Sequence, residues 1–262
     1  MAIDKKITYV GKDSSPSEPS PGRFTPTSES KGKATQLRVI AGILWFFAIG
    51  AQIAAISMLF RPPVIMKWII VLIAIDLVLV FIGSMLWKKS NRLDPASEAN
   101  KFKFFMQSQL GLVVSVIAFL PLVIFILTSK NLDKKQKGIL GGIAALALII
   151  AGITGTDFNP PSVEQYTEQT KRVEELNQGI NNVYWAKSSK VYHLYNDCSY
   201  INGVKTSEIL SGTVAQAREL KNITELCSRC EGRAIKERGL SETPGNAIGG
   251  QNETQTDADS SH

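Results

Sequence analysis

The sequence predicts a mainly α protein: a four-helix transmembrane bundle followed by a small α+β C-terminal module. Three observations carry that reading. Residues from about 37 to 154 are strongly apolar and fall into four runs, whereas both flanks are polar and charged. Each run has the length of a bilayer crossing. Finally, a chain with three cysteines and two histidines gathers every cysteine and one histidine between His193 and Cys230. At roughly 150 residues per domain, 262 residues hold one or two folded units.

Residues 1–34 contain "SPSEPSPGRFTPTSES", a Ser/Pro/Glu-rich stretch with few apolar groups. Such a stretch cannot bury enough surface to offset the entropy of ordering, so a disordered tail is expected there. The membrane region follows at 35–156, with crossings at about 37–60, 68–87, 104–127 and 138–154. A helix needs roughly 20 residues to cross about 30 Å of hydrocarbon, with about 17 as the lower limit, and all four runs pass. Trp68 and Trp87 bracket the second run, at the level where amphipathic rings favour the interface. Arg61, Pro62 and Pro63 break the chain after the first, because proline cannot continue a helix interior. A cleavable signal peptide does not fit, since the first run begins only after a long polar tail and is too long for a signal core.

Orientation follows from Lys and Arg near the run ends. With the N-terminus inside, the cytoplasmic side carries Lys31, Lys33, Arg38, Lys88, Lys89, Arg92, Lys101 and Lys103. The outer side carries Arg61, Lys67, Lys130, Lys134, Lys135 and Lys137. Four crossings are an even number, so both termini share one side, and the charge bias places that side in the cytoplasm.

Within the second run, "LIAIDLVLV" sets Asp76 at mid-membrane. An ionised carboxylate there costs about 2.5–3.5 kcal/mol on insertion scales. Asp76 is therefore a candidate proton or cation relay, or a hydrogen-bond partner of Gln52, Gln107, Gln109 or Ser115. The fourth run, "GILGGIAALALIIAG", is rich in Gly and Ala, which let helix backbones approach closely, within the bundle or between subunits. After it, residues 157–182 read as a linker helix. Pro161 and Ser162 suit its start, Gly179 suits its end, and Val163, Tyr166, Val173 and Leu176 recur at helical spacing.

The module is expected at 183–240. His193 and Cys198 are separated by four residues, Cys227 and Cys230 by two, and the pairs by 28. Structural zinc sites take four tetrahedral Cys or His ligands, commonly as two close pairs. His193, Cys198, Cys227 and Cys230 make one Cys3His set for Zn2+ with no remainder. Rival uses fit less well. Three cysteines are odd for a disulfide framework. Covalent haem attachment needs His after Cys230, where Glu231 stands. A zinc deaminase needs His-x-Glu, and the sequence reads "HLY". "NVYWA" and "KVYHL" read as a small hairpin, "GTVAQARELKN" as a helix capped by Thr213, and "CSRCEGRAIKERG" as a turn entering a last helix stopped at Gly239. Residues 241–262 resemble the first tail in composition and are expected to be disordered, with His262 no ligand.

The stretches "VYWAKSSKVYHLYNDCSYI" and "ILSGTVAQARELKNITELCSRC" resemble the small metal-binding module of the Ada type, and closer still its relatives appended to nucleases and to bacterial surface or membrane proteins. The resemblance covers Val183 to Arg233 and none of the membrane half. It implies a small α+β fold and a zinc ion on His193, Cys198, Cys227 and Cys230. The Ada module itself has four cysteines, so His193 stands at an altered first ligand position. The methyl-accepting reaction of that family finds no support in these residues. A fold and a metal are implied, not a reaction.

These readings predict a non-enzymatic, multi-pass cell-membrane protein whose module serves partner binding or assembly at the membrane face. The partners expected are the lipid bilayer and a protein partner or a second copy. Two alternatives belong to other classes. One is an ion or small-solute transporter using Asp76. The other is a membrane-tethered nucleic-acid binder, prompted by nine Lys/Arg against six Asp/Glu between Val183 and Leu240.

Overall fold

The computed structural model describes residues 6–10, 24–203, 206–221 and 223–240. The sequence-predicted tails over 1–5, 11–23 and 241–262, with His262, lie outside the described residues. Elements follow in the order β1 (Lys6–Tyr9), α1 (Ser28–Leu59), α2 (Met66–Leu93), α3 (Lys101–Thr128), α4 (Lys134–Gly155) and α5 (Val163–Leu176). They continue with β2 (Val183–Ala186), β3 (Val191–Tyr192), β4 (Glu208–Gly212), α6 (Val214–Lys221), β5 (Glu225–Leu226) and α7 (Ser228–Arg238).

Helices α1 to α4 are each long and apolar enough to cross a membrane. They outrun the apolar runs predicted for them, because polar helix formers carry each helix on to a local cap. The Thr27 hydroxyl accepts from the Ser30 N–H at the start of α1, and Asn100 accepts from Lys103 N–H at α3. At α4, Asp133 and Gln136 exchange hydrogen bonds reciprocally as a capping box.

Antiparallel packing of α1 on α2 sets the core. The Arg38 guanidinium reaches Asp94 at 2.7 Å, the Trp45 and Trp87 rings lie 5.4 Å apart, and a Cβ on Gly83 would sit 2.5 Å from Trp45 Nε1. Continued up the seam, that register sets Ala48 by Val80, Gln52 by Asp76, Ala55 by Ile73 and Leu59 by Ile69, all buried. Helices α3 and α4 meet through glycine: a Cβ on Gly155 would lie 2.6 Å from the Gly111 carbonyl oxygen, and the Ser115 hydroxyl donates to Ala151 O at 2.9 Å. The Gly/Ala face of α4 thus packs inside the bundle, through Gly141, Ala144, Ala147, Ala151 and Gly155.

The bundle's exterior is apolar. Phe46 is 73 % exposed, and Ile53, Val78, Ile117, Leu146 and Ile153 also point outward. An apolar exterior, with small residues at the closest helix contacts, is the arrangement of helices packed in lipid.

Two small sheets build the module. In the first, the strand order is β1-β4-β2, with β1 parallel to β4 (Ile7 opposite Ile209) and β2 antiparallel to it (Trp185 opposite Leu210). In the second, β3 pairs β5 in parallel. Their shared core holds Trp185, Tyr192, Ile201, Ile209 and Val214 together with Val173 and Leu176 of α5. The predicted linker helix is therefore a wall of the module, starting at its Ser162 cap. The structureless tail expected over 1–34 also needs correction. Residues Lys6–Tyr9 supply the amides and carbonyls that pair with one edge of β4, and α1 begins at Ser28.

Helix α5 joins the two halves. Val163 N–H donates to Ala96 O at 3.1 Å, and the Tyr166 hydroxyl donates to Arg92 O at 3.3 Å. From the module side, the buried Arg218 guanidinium donates to Tyr166 O and Thr170 Oγ1 and stacks over the Tyr166 ring at 4.0 Å, with Phe24 beyond. Burial lowers Arg218 to about 10 and raises the Tyr166 phenol to about 12, so one stays charged and the other neutral at pH 7.

Candidate metal centre

Four ligand atoms converge because two strands end side by side. Strand β3 delivers His193 at its C-terminal end, and the parallel β5 delivers Cys227 at its own. The ladder is extended by Cys227 N–H donating to Tyr192 O at 2.9 Å. Parallel pairing puts like ends together, which two residues per strand suffice to do. An antiparallel bridge with Tyr184 then clamps the His193 backbone through two 2.7 Å hydrogen bonds.

Cys198 comes from the turn after β3, where its carbonyl accepts from Ile201 and Asn202 N–H. Cys227 is the N-cap of α7 and Cys230 lies in the first helical turn, so the Cys-x-x-Cys spacing wraps the helix start. Unpaired N–H groups at that end favour negative charge on sulfur. Gly239 ends α7 in the left-handed conformation, φ +61°, as its position in the sequence predicted.

His193, Cys198, Cys227 and Cys230 are all buried, and one ligand atom from each lies within 4.8 Å of every other. His193 Nδ1 and Cys230 Sγ are 3.6 Å apart. For comparison, zinc bonds of about 2.3 Å to sulfur and about 2.05 Å to nitrogen give a tetrahedral edge of roughly 3.6 Å. This donor set fits a tetrahedral metal ion.

Without an ion, burial favours the neutral forms of Cys230 and His193. Burial pushes the Cys230 thiol up to about 12, with Cys198 raising it further, and lowers the His193 imidazole to about 4. Backbone N–H groups of Tyr195 and Leu194 point at Cys230 Sγ and pull the other way. They are the outer support that a metal-bound thiolate uses. Beside the cluster, a cavity of about 300 Å³ is lined by Cys198, Cys230, Arg229 and Arg233. Asp197 lines the same cavity. The Arg233 guanidinium also pairs with Asp197 at 2.9 Å and Glu237 at 2.8 Å.

The structure treats Asp76 differently from the partners predicted for it. Asp76 is 1 % exposed, and neither carboxylate oxygen has a hydrogen-bond partner among the described residues. Gln107 bonds to Asp94 O, Gln109 to the Asp157 backbone and Ser115 to helix carbonyls. Gln52, opposite in register, leaves Nε2 unpaired.

Sequence reasoning missed Arg218, although a signal existed. It stands at the fourth position after Val214, on the stripe that buries Val214 and Ala217. A charge on that stripe must be paired inside the protein. Compared with known proteins, this chain matches no family model, no curated protein and no solved structure.

Proposed function

We propose that this chain is an integral membrane protein whose C-terminal module is organised around one structural zinc ion and presents a binding surface at the cytoplasmic membrane face. The surface would serve a protein partner or a second copy of the chain. The observation that carries this reading is the buried convergence of three sulfurs and one imidazole nitrogen within 4.8 Å of one another, in a unit with a small core of its own. Four protein ligands leave no open coordination position, which favours scaffolding over catalysis. Thiols stay reduced in the cytoplasm, which suits three unpaired cysteines. The resemblance to the Ada-type module supports the same metal and the same small fold.

The test uses the full chain purified in detergent without chelator. Elemental analysis should find one zinc per chain, and Cys227→Ser should lower that content sharply. Crosslinking in membranes should then capture a partner or a second copy with the metal-loaded protein and lose it after chelation. Absence of stoichiometric metal would sink the proposal.

A second reading, an ion or small-solute transporter, is favoured by the buried carboxylate of Asp76 at mid-bundle, which has no hydrogen-bond partner among the described residues. Asp76→Asn would abolish proton-coupled or cation flux in proteoliposomes if that reading holds, and leave the metal content unchanged. Membrane-tethered nucleic-acid binding draws no similar support, because Arg233 already pairs with two carboxylates.

A further inference from the structure

A second cavity, of about 270 Å³, lies where the bundle meets the module. Its walls come from the end of α2 (Lys88 and Arg92), the segment after α4 (Asp157 and Phe158) and the first turns of α5 (Gln165 and Tyr166). Its volume falls just under the roughly 300–1,000 Å³ of pockets for drug-sized ligands, and suits a single small polar group.

The charges in it are only partly engaged: Asp157 attracts Lys88 and its Oδ1 accepts from Asn159 N–H at 3.3 Å. Arg92 is half-buried, and its guanidinium forms no ion pair among the described residues. Lys88 donates one hydrogen bond to Thr156 O at 2.6 Å and keeps two N–H groups. Asp157 is buried, its Oδ2 has no hydrogen-bond partner among the described residues, and it forms no ion pair with either cation. Two positive charges against one negative make the cavity net positive, so it suits an anion. Its shape is held from outside, since the Tyr166 hydroxyl grips the Arg92 carbonyl and Arg218 grips the Tyr166 carbonyl.

Depth identifies the source of that anion. Lys88 directly follows Trp87, the last residue of the apolar run in α2. Arg92 is one turn further, about 6 Å along the axis. The polar headgroup layer adds roughly 5–8 Å beyond the hydrocarbon on each side, so both cations lie at that level. On the rim, Phe158 is 79 % exposed at the same end of the bundle.

We infer that this cavity binds the phosphate headgroup of an anionic phospholipid, with Lys88 and Arg92 as its cationic ligands and Gln165 as a neutral donor. The inference rests on the membrane reading above. A bound headgroup bridges α2 to α5, so it would also fasten the module to the bundle.

The test reconstitutes the full chain into nanodiscs of phosphatidylcholine alone and of phosphatidylcholine with phosphatidylglycerol, and counts retained lipids by native mass spectrometry. Wild type should retain one phosphatidylglycerol per chain. Arg92→Gln should weaken that retention about five- to tenfold, as expected for one lost charge-assisted contact at a membrane surface. Asp157→Asn should strengthen it. Unchanged metal content and thermal midpoint show that each variant is folded. Equal retention of both lipids by wild type, or no change in either variant, overturns the inference while leaving the membrane reading intact. Binding of soluble glycerol phosphate in pure phosphatidylcholine as tightly as the lipid overturns it too, since the cavity would then serve a water-borne phosphate. Failure to enter nanodiscs of either composition defeats the membrane reading itself.

Discussion

Where α3 meets α4 the closest contacts are made by small residues, Gly111, Ser115, Ala151 and Gly155, while the bundle also buries Leu59, Ile69, Phe119 and Leu122 and turns many other large aliphatic side chains outward. In the module the large side chains point inward: Trp185, Tyr192 and Ile201 are among the most buried residues in the chain. Both halves bury large side chains, and they differ in what they expose: large apolar side chains cover the bundle, whereas few lie exposed on the module. The bundle gains close backbone contact, because lipid already solvates its outer face. The module must exclude water with a small core, and a buried cluster of one histidine and three cysteines that could hold a metal ion sits within that core.

The difference is tested most severely by removing metal. Small zinc domains draw roughly 10–16 kcal/mol of folding energy from the ion. Chelation of the full chain should unfold the module while leaving the four long helices formed. Trp185, the one tryptophan outside the bundle, reports the first as a fluorescence shift to longer wavelength, and far-ultraviolet circular dichroism reports the second. Loss of both signals together would mean that the halves are not independent.

Next in size is Gly155→Val. Added carbons would meet the Gly111 carbonyl and the Ser115 hydroxyl, both closer than 3 Å to the new Cβ. Backbone cannot rotate away, so α3 and α4 must separate at a cost of about 3 kcal/mol. The bundle's thermal midpoint should fall while the metal content stays unchanged.

Arg218→Ala probes the junction. It removes the hydrogen bonds to Tyr166 O and Thr170 Oγ1 and the cation stacked on the Tyr166 ring, worth about 2 kcal/mol together. Amide exchange should quicken in α5 and α6 and stay unchanged along α3 and α4.

The smallest expected effect is acid-dependent. The Thr8 hydroxyl and Lys187 hold the Glu208 carboxyl below its ordinary value. A depressed carboxylate contributes stability that is fully present above about pH 4.3 and is lost as pH falls through the lowered value. Glu208→Gln should remove that dependence from the pairing of β1, followed by the Ile7 methyl signal in NMR spectra. A pH response that persists in the variant would assign it elsewhere.

What the sequence revealed follows the same division. Apolar length is a local property, so the four long helices were legible, as was the clustering of His193, Cys198, Cys227 and Cys230. Helix ends were less so, because Thr27 and the polar turn at 88–93 extend helices that hydropathy alone would stop. Strand β4 has short, mixed composition, and the four residues of β1 pair with a strand about two hundred positions away. Nothing local in "KITY" announces that partner. Equally, the predicted bonds to Asp76 assumed that any polar neighbour would turn toward it, whereas Gln107, Gln109 and Ser115 are taken by backbone groups.

Pairing of β1 with β4 has a consequence for how the molecule is made. The first strand leaves the ribosome while its partner is still about two hundred residues from synthesis, and four helices must be placed before the two can meet. Joining them is therefore a late step of assembly, and until then one border of β4 offers bare amides to any passing strand. A bulky fusion at the N-terminus that delays this closure should increase aggregation of the newly made chain, whereas the same fusion at the C-terminus should not.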